Sequence, residues 1–222
     1  KNEYNKKIRL GYYSADFCNH PVSYLIANLF EKHDKSKFEL FAFSLGQEKN
    51  DEMQKRISKA FDKFINVNSY TEKEIAILSR KLGIDIAIDL MGFTKNNKFR
   101  IFVNRCAPIQ INYLGYAGTT GASCIDYIIA DKILIPEKNQ KNFSEKIIYL
   151  PNSFMVNDPT KKISEKTLKR EDFGLPKKGF VFCCFNKKYK ITPIVFNLWM
   201  NLLKKVDGSV LWLFEENIES AK

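Results

Sequence analysis

The residues best suited to chemistry stand together near the start of the chain, in segment 14–20, which reads SADFCNH. A neutral imidazole is an effective general base near neutral pH, and a carboxylate four residues before it can orient the ring or accept its proton. Asp16 and His20 therefore indicate general acid–base chemistry or ligand binding. The alternative is that Asn19 or His20 only caps the following helix, and the local residues leave both roles open.

Two predicted elements flank this segment. Residues 8–13 are an apolar run of β-forming types, which favours a buried strand. From Pro21, whose fixed φ suits the first position of a helix, apolar residues recur at helical spacing. In open α/β sheets ligands bind where strands end and helices begin, and a helix start also favours an anion such as phosphate.

The second histidine, His33, lies in the charged run EKHDK at 31–35. Its neighbours are acidic and basic in alternation, which is typical of a solvated helix end. We therefore predict no functional or structural role for this side chain.

Strand and helix patterns alternate along the first two thirds of the chain. Strands are predicted at 38–43, 61–67, 84–90, 109–114, 125–129 and 146–150, and helices at 21–33, 51–60, 71–82 and 99–105. This alternation predicts an α/β fold, with a Rossmann-like parallel sheet covered on both faces by helices. The order of the strands in the sheet cannot be read from the sequence.

A polar, lysine-rich segment at 158–178 indicates a domain boundary. We assign residues 1–157 to an N-terminal Rossmann-like lobe, 158–178 to a linker, and 179–222 to the start of a second lobe. That second part shows a strand at 180–185, a helix from 191 and a strand at 210–214. One such unit has too little apolar surface to fold alone, so a truncated lobe of a longer protein is expected.

Two later loops can also bind a ligand. Gly115, Gly118 and Gly121 follow a predicted strand together with Thr119, so the backbone there can approach a sugar or phosphate, although a structural turn fits the pattern equally well. Lys190 stands between a strand and a helix, where an ammonium can neutralise a diphosphate. A solvated loop lysine is the alternative at that position.

Composition excludes several classes of protein. The 222 residues carry 36 Lys and Arg against 25 Asp and Glu, but these basic residues form no nucleic-acid motif, so no nucleic-acid partner is predicted. No apolar run reaches the roughly 18 residues of a membrane span, and the N-terminus has no secretory signal core. The five cysteines lack metal-ligand spacing, so we predict reduced thiols, no metal and a cytoplasmic protein.

Three stretches together resemble the catalytic region of the O-linked N-acetylglucosamine transferase and SPINDLY family. They are GYYSADFCNHPVSYL at 11–25, APIQINYLGYAGTTGA at 107–122 followed by DYIIAD at 126–131, and FNKKYKITP at 185–193 followed by SVLWL at 209–213. Their order and spacing match over nearly the whole chain. The long spacer between the catalytic lobes of the animal enzymes is absent, so the chain looks like the bacterial members linked to tetratricopeptide repeats.

The resemblance implies a glycosyltransferase of the B type, whose nucleotide sugar binds between two Rossmann-like lobes. The sugar then passes to a Ser or Thr hydroxyl of a protein. The family's essential histidine corresponds to His20, and the aspartate that helps to remove the acceptor's proton corresponds to Asp16. The resemblance also implies a nucleotide-sugar site made by Asn19, Pro21, Leu114, Gly115, Gly118, Thr119, Lys187 and Lys190.

Within that site, the backbone of Leu114 and Gly115 would hold the sugar and Lys190 the diphosphate. UDP-N-acetylglucosamine and GDP-fucose are both possible donors, and neither a cofactor nor a metal is expected. The family's protein acceptors are selected by repeats that would precede Lys1, and the rest of the second lobe would follow Lys222. The 222 residues alone are therefore expected to be inactive and to bind nucleotide weakly.

Three positions depart from the family pattern. Val22 replaces a threonine of the animal enzymes, Ala117 stands where proline is usual, and Lys187 replaces a polar amide near the nucleotide. These differences leave an alternative, in which a member of the same fold binds nucleotide sugars or assembles with partners without catalysing transfer.

Overall fold

A seven-stranded, entirely parallel sheet dominates the computed structural model, which describes residues 7–215. Its strands are β1 (Ile8–Ser14), β2 (Phe38–Ser44), β3 (Lys63–Asn66), β4 (Ile86–Asp89), β5 (Ile109–Asn112), β6 (Tyr127–Ala130) and β7 (Lys146–Tyr149). A separate parallel pair is formed by β8 (Val181–Cys184) and β9 (Val210–Leu213). The predicted α/β class and parallel sheet are confirmed.

Helices connect most of these strands. They are α1 (Pro21–Lys32), α2 (Glu52–Ala60), α3 (Glu72–Lys81), the single turn α4 (Arg100–Val103), and α5 (Pro193–Lys205) between β8 and β9. Short 3₁₀ turns occur at Glu137–Asn142, Arg170–Phe173 and Lys188–Lys190. The predicted strands and helices agree with these bounds to within a few residues, whereas the sequence did not predict the 3₁₀ turns at Glu137–Asn142 and Lys188–Lys190.

The strand order places a ligand-binding crevice at a defined point. The strands lie in the order β3-β2-β1-β4-β5-β6-β7, so the direction of winding reverses between β1 and β4. In open parallel sheets, ligands bind outside the carboxyl ends of the strands at such a reversal. Segment 14–20 leaves β1 at this edge, beside the segments that leave β4 and β5.

Two hydrophobic clusters cover the faces of this sheet. One is built around Tyr13, Phe43 and Phe102 on the side of α3 and α4, and the other around Tyr12, Phe30 and Phe61 on the side of α1 and α2. Tyr13 and Tyr12 point to opposite faces because successive side chains of a strand alternate. Since β1 is buried from both sides, the segment that follows it has a rigid base.

Side chains fix the starts of the longer helices. The Asp51 side chain accepts from the Gln54 amide at the start of α2, and Thr71 forms a reciprocal capping box with Glu74 at the start of α3. Such caps satisfy amides that have no partner within the helix. They define where each connecting loop ends, and therefore where the loops of the crevice lie.

The chain separates into two units, and the boundary lies between Lys161 and Lys162. In the second unit α5 leaves large apolar side chains in solvent, including Ile194 at 75% and Leu198 at 58% exposure. This pattern is that of an element whose outer face normally packs against further structure. Among residues 7–215, no helix combines the length and apolar character that crossing a membrane requires.

The prediction for His33 is wrong. The ring is half-buried at the end of α1, and its Nε2 atom lies 2.8 Å from the hydroxyl of Tyr12. Burial, with a smaller contribution from Lys35, lowers the pKa of His33. The charged neighbours at 31–35 concealed this role because the partner tyrosine lies 21 residues earlier, within β1.

Candidate active site

An open cavity of 360 Å³ lies at the carboxyl edge of the sheet, where the segments after β1, β4 and β5 meet. It is lined by Asp16, His20, Val22, Leu90, Thr94, Lys95, Asn96 and Gly115. The structure thus brings together three of the site residues named from the sequence, which are Asp16, His20 and Gly115. The cavity is lined by one imidazole, one carboxylate and one ammonium group.

His20 is both the cap of α1 and a cavity residue. Its Nδ1 atom lies 3.4 Å from the backbone amide of Val22 and 3.5 Å from Oδ2 of Asp16. When Nδ1 is unprotonated it can accept from Val22, and when it carries a proton it faces the Asp16 carboxylate. Only the second form leaves the Nε2 lone pair available to a ligand, so capping of α1 and the catalytic role expected from the sequence correspond to different tautomers.

Asp16 is held through its backbone by two serines. Its amide donates to Oγ of Ser14 at 2.9 Å, and its carbonyl accepts from the buried hydroxyl of Ser23 at 2.5 Å. Burial raises the pKa of Asp16, and the nearby charge of His20 opposes that rise. The carboxylate is therefore positioned for the imidazole while its ordinary solvation is reduced.

Asp51 ties the same segment to a second helix. Its Oδ2 accepts from the Asn19 amide at 2.7 Å, while Oδ1 accepts from Gln54 at 2.9 Å. One carboxylate thus caps α2 and fixes the backbone next to His20. Asn19 itself is exposed and does not line the cavity, and Pro21 occupies the first turn of α1.

The segment after β4 supplies the wall that sequence reasoning missed. Thr94, Lys95 and Asn96 line the cavity, although the sequence predicts only a strand at 84–90 in this region. The buried carboxylate of Asp89 accepts from the amides of Met91 and Gly92 at 2.8 and 3.1 Å, which fixes the start of this segment.

The Met91 sulfur joins this wall to the segment that carries His20. It lies 3.3 Å from the Ala15 amide and 3.5 Å from Oγ of Ser14. Because Ser14 in turn supports the backbone of Asp16, the two segments are connected beneath the cavity.

Asp89 gives the fold a pH dependence that can be measured. Burial raises its pKa from 3.8 to about 6, against the opposing effect of the two amide hydrogen bonds. Because the folded-state pKa is the higher, this group's contribution to stability is complete below pH 3.8 and is lost as pH rises through about 6. The loss corresponds to about 3 kcal/mol.

Asp89→Asn is therefore expected to remove that part of the pH dependence, because its side chain does not titrate. The free energy of unfolding, measured in denaturant, should fall less between pH 4 and pH 7.5 in the variant than in the wild type. Equal differences in the two proteins would show that Asp89 does not titrate in this range. The comparison within each protein cancels the cost of the lost amide acceptor.

The segment after β5 approaches β4 through its backbone. Leu114 adopts the left-handed conformation, with φ of 68°, and Gly115 follows it into the cavity wall. A Cβ atom on Gly115 would lie 1.9 Å from the carbonyl oxygen of Leu90. The glycine predicted to approach a ligand is therefore also required where two backbones meet.

Asn112, at the end of β5, supports this turn from below. Its side-chain amide donates to the carbonyl of Tyr116 at 3.0 Å and to that of Gly118 at 3.3 Å. Its Oδ1 atom is buried with no hydrogen-bond partner among the described residues. Gly118 therefore contacts Asn112 through its carbonyl, and it does not line the cavity.

Thr119 is engaged inside the fold. Its hydroxyl lies 2.7 Å from Oε2 of Glu145 and accepts from the amides of Gly121 and Ser144 at 3.0 and 3.3 Å. Within residues 7–215 the cavity lining does not include it. The remaining site residues, Lys187 and Lys190, are exposed in the second unit, at the 3₁₀ turn before α5.

Comparison with known proteins decides the family. The model of glycosyl transferase family 41 matches residues 1–169 and 162–219. The chain belongs to glycosyl transferase family 41. The segments that carry Asp16, His20, Gly115 and Lys190 all lie within these matches, as the resemblance of the three sequence stretches predicted.

Curated relatives in the family extend well beyond this chain. The probable UDP-N-acetylglucosamine–peptide N-acetylglucosaminyltransferase SEC of Arabidopsis thaliana is 39% identical over 213 residues, which are 94% of this chain and 22% of the relative. The corresponding probable SPINDLY transferase of the same plant is 31% identical over 210 residues, covering 93% and 22%. The chain therefore spans about a fifth of the length of these relatives.

A solved family structure shows the same architecture. A mutant O-GlcNAc transferase from Thermobaculum terrenum superposes with a TM-score of 0.81 at 28% sequence identity. The match covers 94% of this chain and 39% of that one. This agreement confirms that the chain shares the α/β fold of that O-GlcNAc transferase.

Proposed function

We propose that this chain is part of the catalytic region of an enzyme that transfers a sugar from a nucleotide sugar to Ser or Thr hydroxyls of proteins. The observation that carries the proposal is the cavity at the winding reversal, where Asp16, His20 and Gly115 meet. The names of the relatives support it, because they describe peptide N-acetylglucosaminyltransferases.

On the acceptor side, His20 would act on the hydroxyl proton. With its own proton on Nδ1 and directed at Asp16, the ring presents the Nε2 lone pair to an incoming hydroxyl. Removing the proton as the oxygen attacks the sugar carbon generates the nucleophile only when it is needed. Asp16 would hold the ring in this tautomer and stabilise the imidazolium that forms.

On the donor side, Lys190 would neutralise the diphosphate that departs. It precedes α5, whose N-cap Thr192 accepts from the Val195 amide. A cation and a helix start both favour a phosphate group, and the negative charge on the leaving group grows as the sugar is transferred. The backbone at Leu114 and Gly115 would contact the sugar, and we propose that no metal takes part.

The donor that we favour is UDP-N-acetylglucosamine, because the relatives named above carry it in their descriptions. GDP-fucose is the alternative left by the sequence resemblance. The test is a panel of nucleotide sugars offered to the full-length protein with a protein acceptor, following release of UDP and GDP with and without a chelator. Release of neither nucleotide would contradict the proposed activity, and loss of release on chelation would contradict metal-free transfer.

Val22 keeps the non-catalytic alternative open, because it presents an apolar side chain in the cavity where the animal enzymes have a hydroxyl. A nucleotide-sugar-binding or assembly protein of the same fold would bind the donor without turning it over. Calorimetric binding of UDP-N-acetylglucosamine without UDP release would favour that alternative. A cytoplasmic location and the absence of a nucleic-acid partner stay part of the proposal.

Lys190→Ala in the full-length protein is expected to lower the rate of transfer by about 10²-fold, because one stabilising charge on the leaving group is lost. Lys188→Ala is the matched control, since it removes an exposed ammonium from the same 3₁₀ turn. Steady-state kinetics with varied donor would measure both variants. Equal effects of the two substitutions would mean that Lys190 has no specific role.

A further inference from the structure

Glu145 is a buried carboxylate outside the cavity that the mechanism does not use. It immediately precedes β7, and only 4% of its surface is exposed. Oε2 lies 2.7 Å from the Thr119 hydroxyl and 3.1 Å from the Ser144 hydroxyl, while Oε1 lies 2.6 Å from the Thr120 amide and also bonds the Thr120 hydroxyl. Among the described residues, it has no salt-bridge partner.

The balance of these contacts keeps the carboxylate charged. Burial acts to raise the pKa of Glu145, but the hydrogen bonds from Thr120 and Thr119 outweigh it, so the pKa lies below its ordinary value. A buried anion satisfied entirely by neutral donors is costly to disturb, because each donor that loses its partner remains without solvent. The arrangement is therefore specific for a carboxylate at this position.

The two threonines belong to the segment that forms one wall of the cavity. That segment begins with Leu114 and Gly115 and is held near its start by the side chain of Asn112. Its far end is held by Glu145, which lies 25 residues after Thr120. Gly115 therefore lies in a loop that is attached at both ends, and its place in the wall depends on both attachments.

We propose that Glu145 is a positioning residue that sets the location of the Leu114–Gly115 backbone through Thr119 and Thr120. The role as a determinant of donor binding rests on the proposed function, in which that backbone holds the sugar. Thr119 then contributes to donor binding by holding the loop in place, since all hydrogen bonds of its hydroxyl are made to Glu145 and two amides. Displacements of about 1 Å in a positioning contact can cost about 10²-fold in rate.

The test uses Glu145→Gln in the full-length protein. The new amide has one acceptor oxygen for two sets of donors. In one orientation its NH₂ group opposes the Thr120 amide, and in the other it opposes the Thr119 hydroxyl, which already accepts from two amides. Glu137→Gln, in the 3₁₀ turn that precedes β7, is the matched control, because it breaks only an exposed ion pair with Lys132. We expect hydrogen exchange of amides 115–122 to accelerate at least about tenfold in the first variant and to stay unchanged in the control.

The same variant should raise the KM for the donor about tenfold with a smaller change in kcat, because the loop is displaced before any chemistry occurs. Thr120→Val, which keeps the amide bond and removes only the hydroxyl, should give a smaller effect of the same sign. It replaces the first variant if Glu145→Gln fails to fold.

Two results would overturn the proposal. The first is unchanged exchange in segment 115–122, which would mean that the carboxylate does not control the loop. The second is accelerated exchange with an unchanged KM, which would separate the loop from the donor. Since exchange is measured without substrate, it decides the structural part even if the wild type transfers no sugar.

Discussion

His20→Ala in the full-length protein is expected to reduce kcat for sugar transfer by about 10²- to 10⁴-fold, the range that a positioned general base contributes. The reason is geometric. Nδ1 of His20 lies 3.5 Å from Asp16 Oδ2, and the ring borders the cavity that the proposed mechanism assigns to the acceptor hydroxyl. Alanine offers no base at that point, and it leaves the backbone of α1 free to start from the same residue.

The chain contains its own control for this experiment, since its other histidine lies at the opposite end of α1. His33→Ala removes the hydrogen bond to the buried Tyr12 hydroxyl, which should cost about 1 to 3 kcal/mol of stability. The transfer rate per folded molecule should be unchanged. A His20→Ala enzyme that keeps a rate similar to His33→Ala would remove the imidazole from the mechanism.

Gly115→Ala is expected to lower the rate of transfer by at least about 10²-fold. The added Cβ would lie 1.9 Å from the Leu90 carbonyl oxygen and 2.8 Å from its carbon, so one of the two backbones must move. Leu90 and Gly115 both line the cavity, so either movement changes its shape. Overpacking of this kind should also cost about 1 to 3 kcal/mol of stability.

Gly121→Ala separates the effect of a steric clash from the effect of backbone strain in the same segment. Gly121 has a φ of 63°, and a Cβ atom added there would have no neighbouring atom within 4 Å, so alanine meets conformational strain alone. That strain should cost about 1 kcal/mol, with little effect on transfer. Transfer kinetics and thermal unfolding of Gly115→Ala and Gly121→Ala would measure the contrast. Similar transfer rates in the two variants would mean that the close contact of Gly115 with Leu90 does not matter for transfer.

The fold class was predictable because strands and helices alternate along the chain with clear periodicity. β8, for example, lies within the strand predicted at 180–185. The strand order was not predictable, because parallel neighbours are joined by crossovers and leave no local signal of which strands are adjacent. For that reason Lys95 and Asn96 were missed, since only the position of β4 beside β1 brings them to His20.

The supporting carboxylates show the same limit. Asp51 and Glu145 resemble any surface acid in the sequence, yet they accept from amides that lie 32 and 25 residues away. His33 was predicted to be solvated because its sequence neighbours are charged, whereas its partner Tyr12 lies 21 residues earlier. The residues that could be named, Asp16, His20 and Gly115, were those whose type and place after a strand already carried the signal.

The position of β1 has a consequence for synthesis on the ribosome. β1 leaves the ribosome before β4, yet Leu10 pairs with Ile86 of β4, 76 residues later. A nascent chain that has emerged only through α3 therefore exposes one unpaired edge of its central strand, which is a template for association with other chains. Chaperone capture of such stalled chains should cease once the pairing with β4 can form.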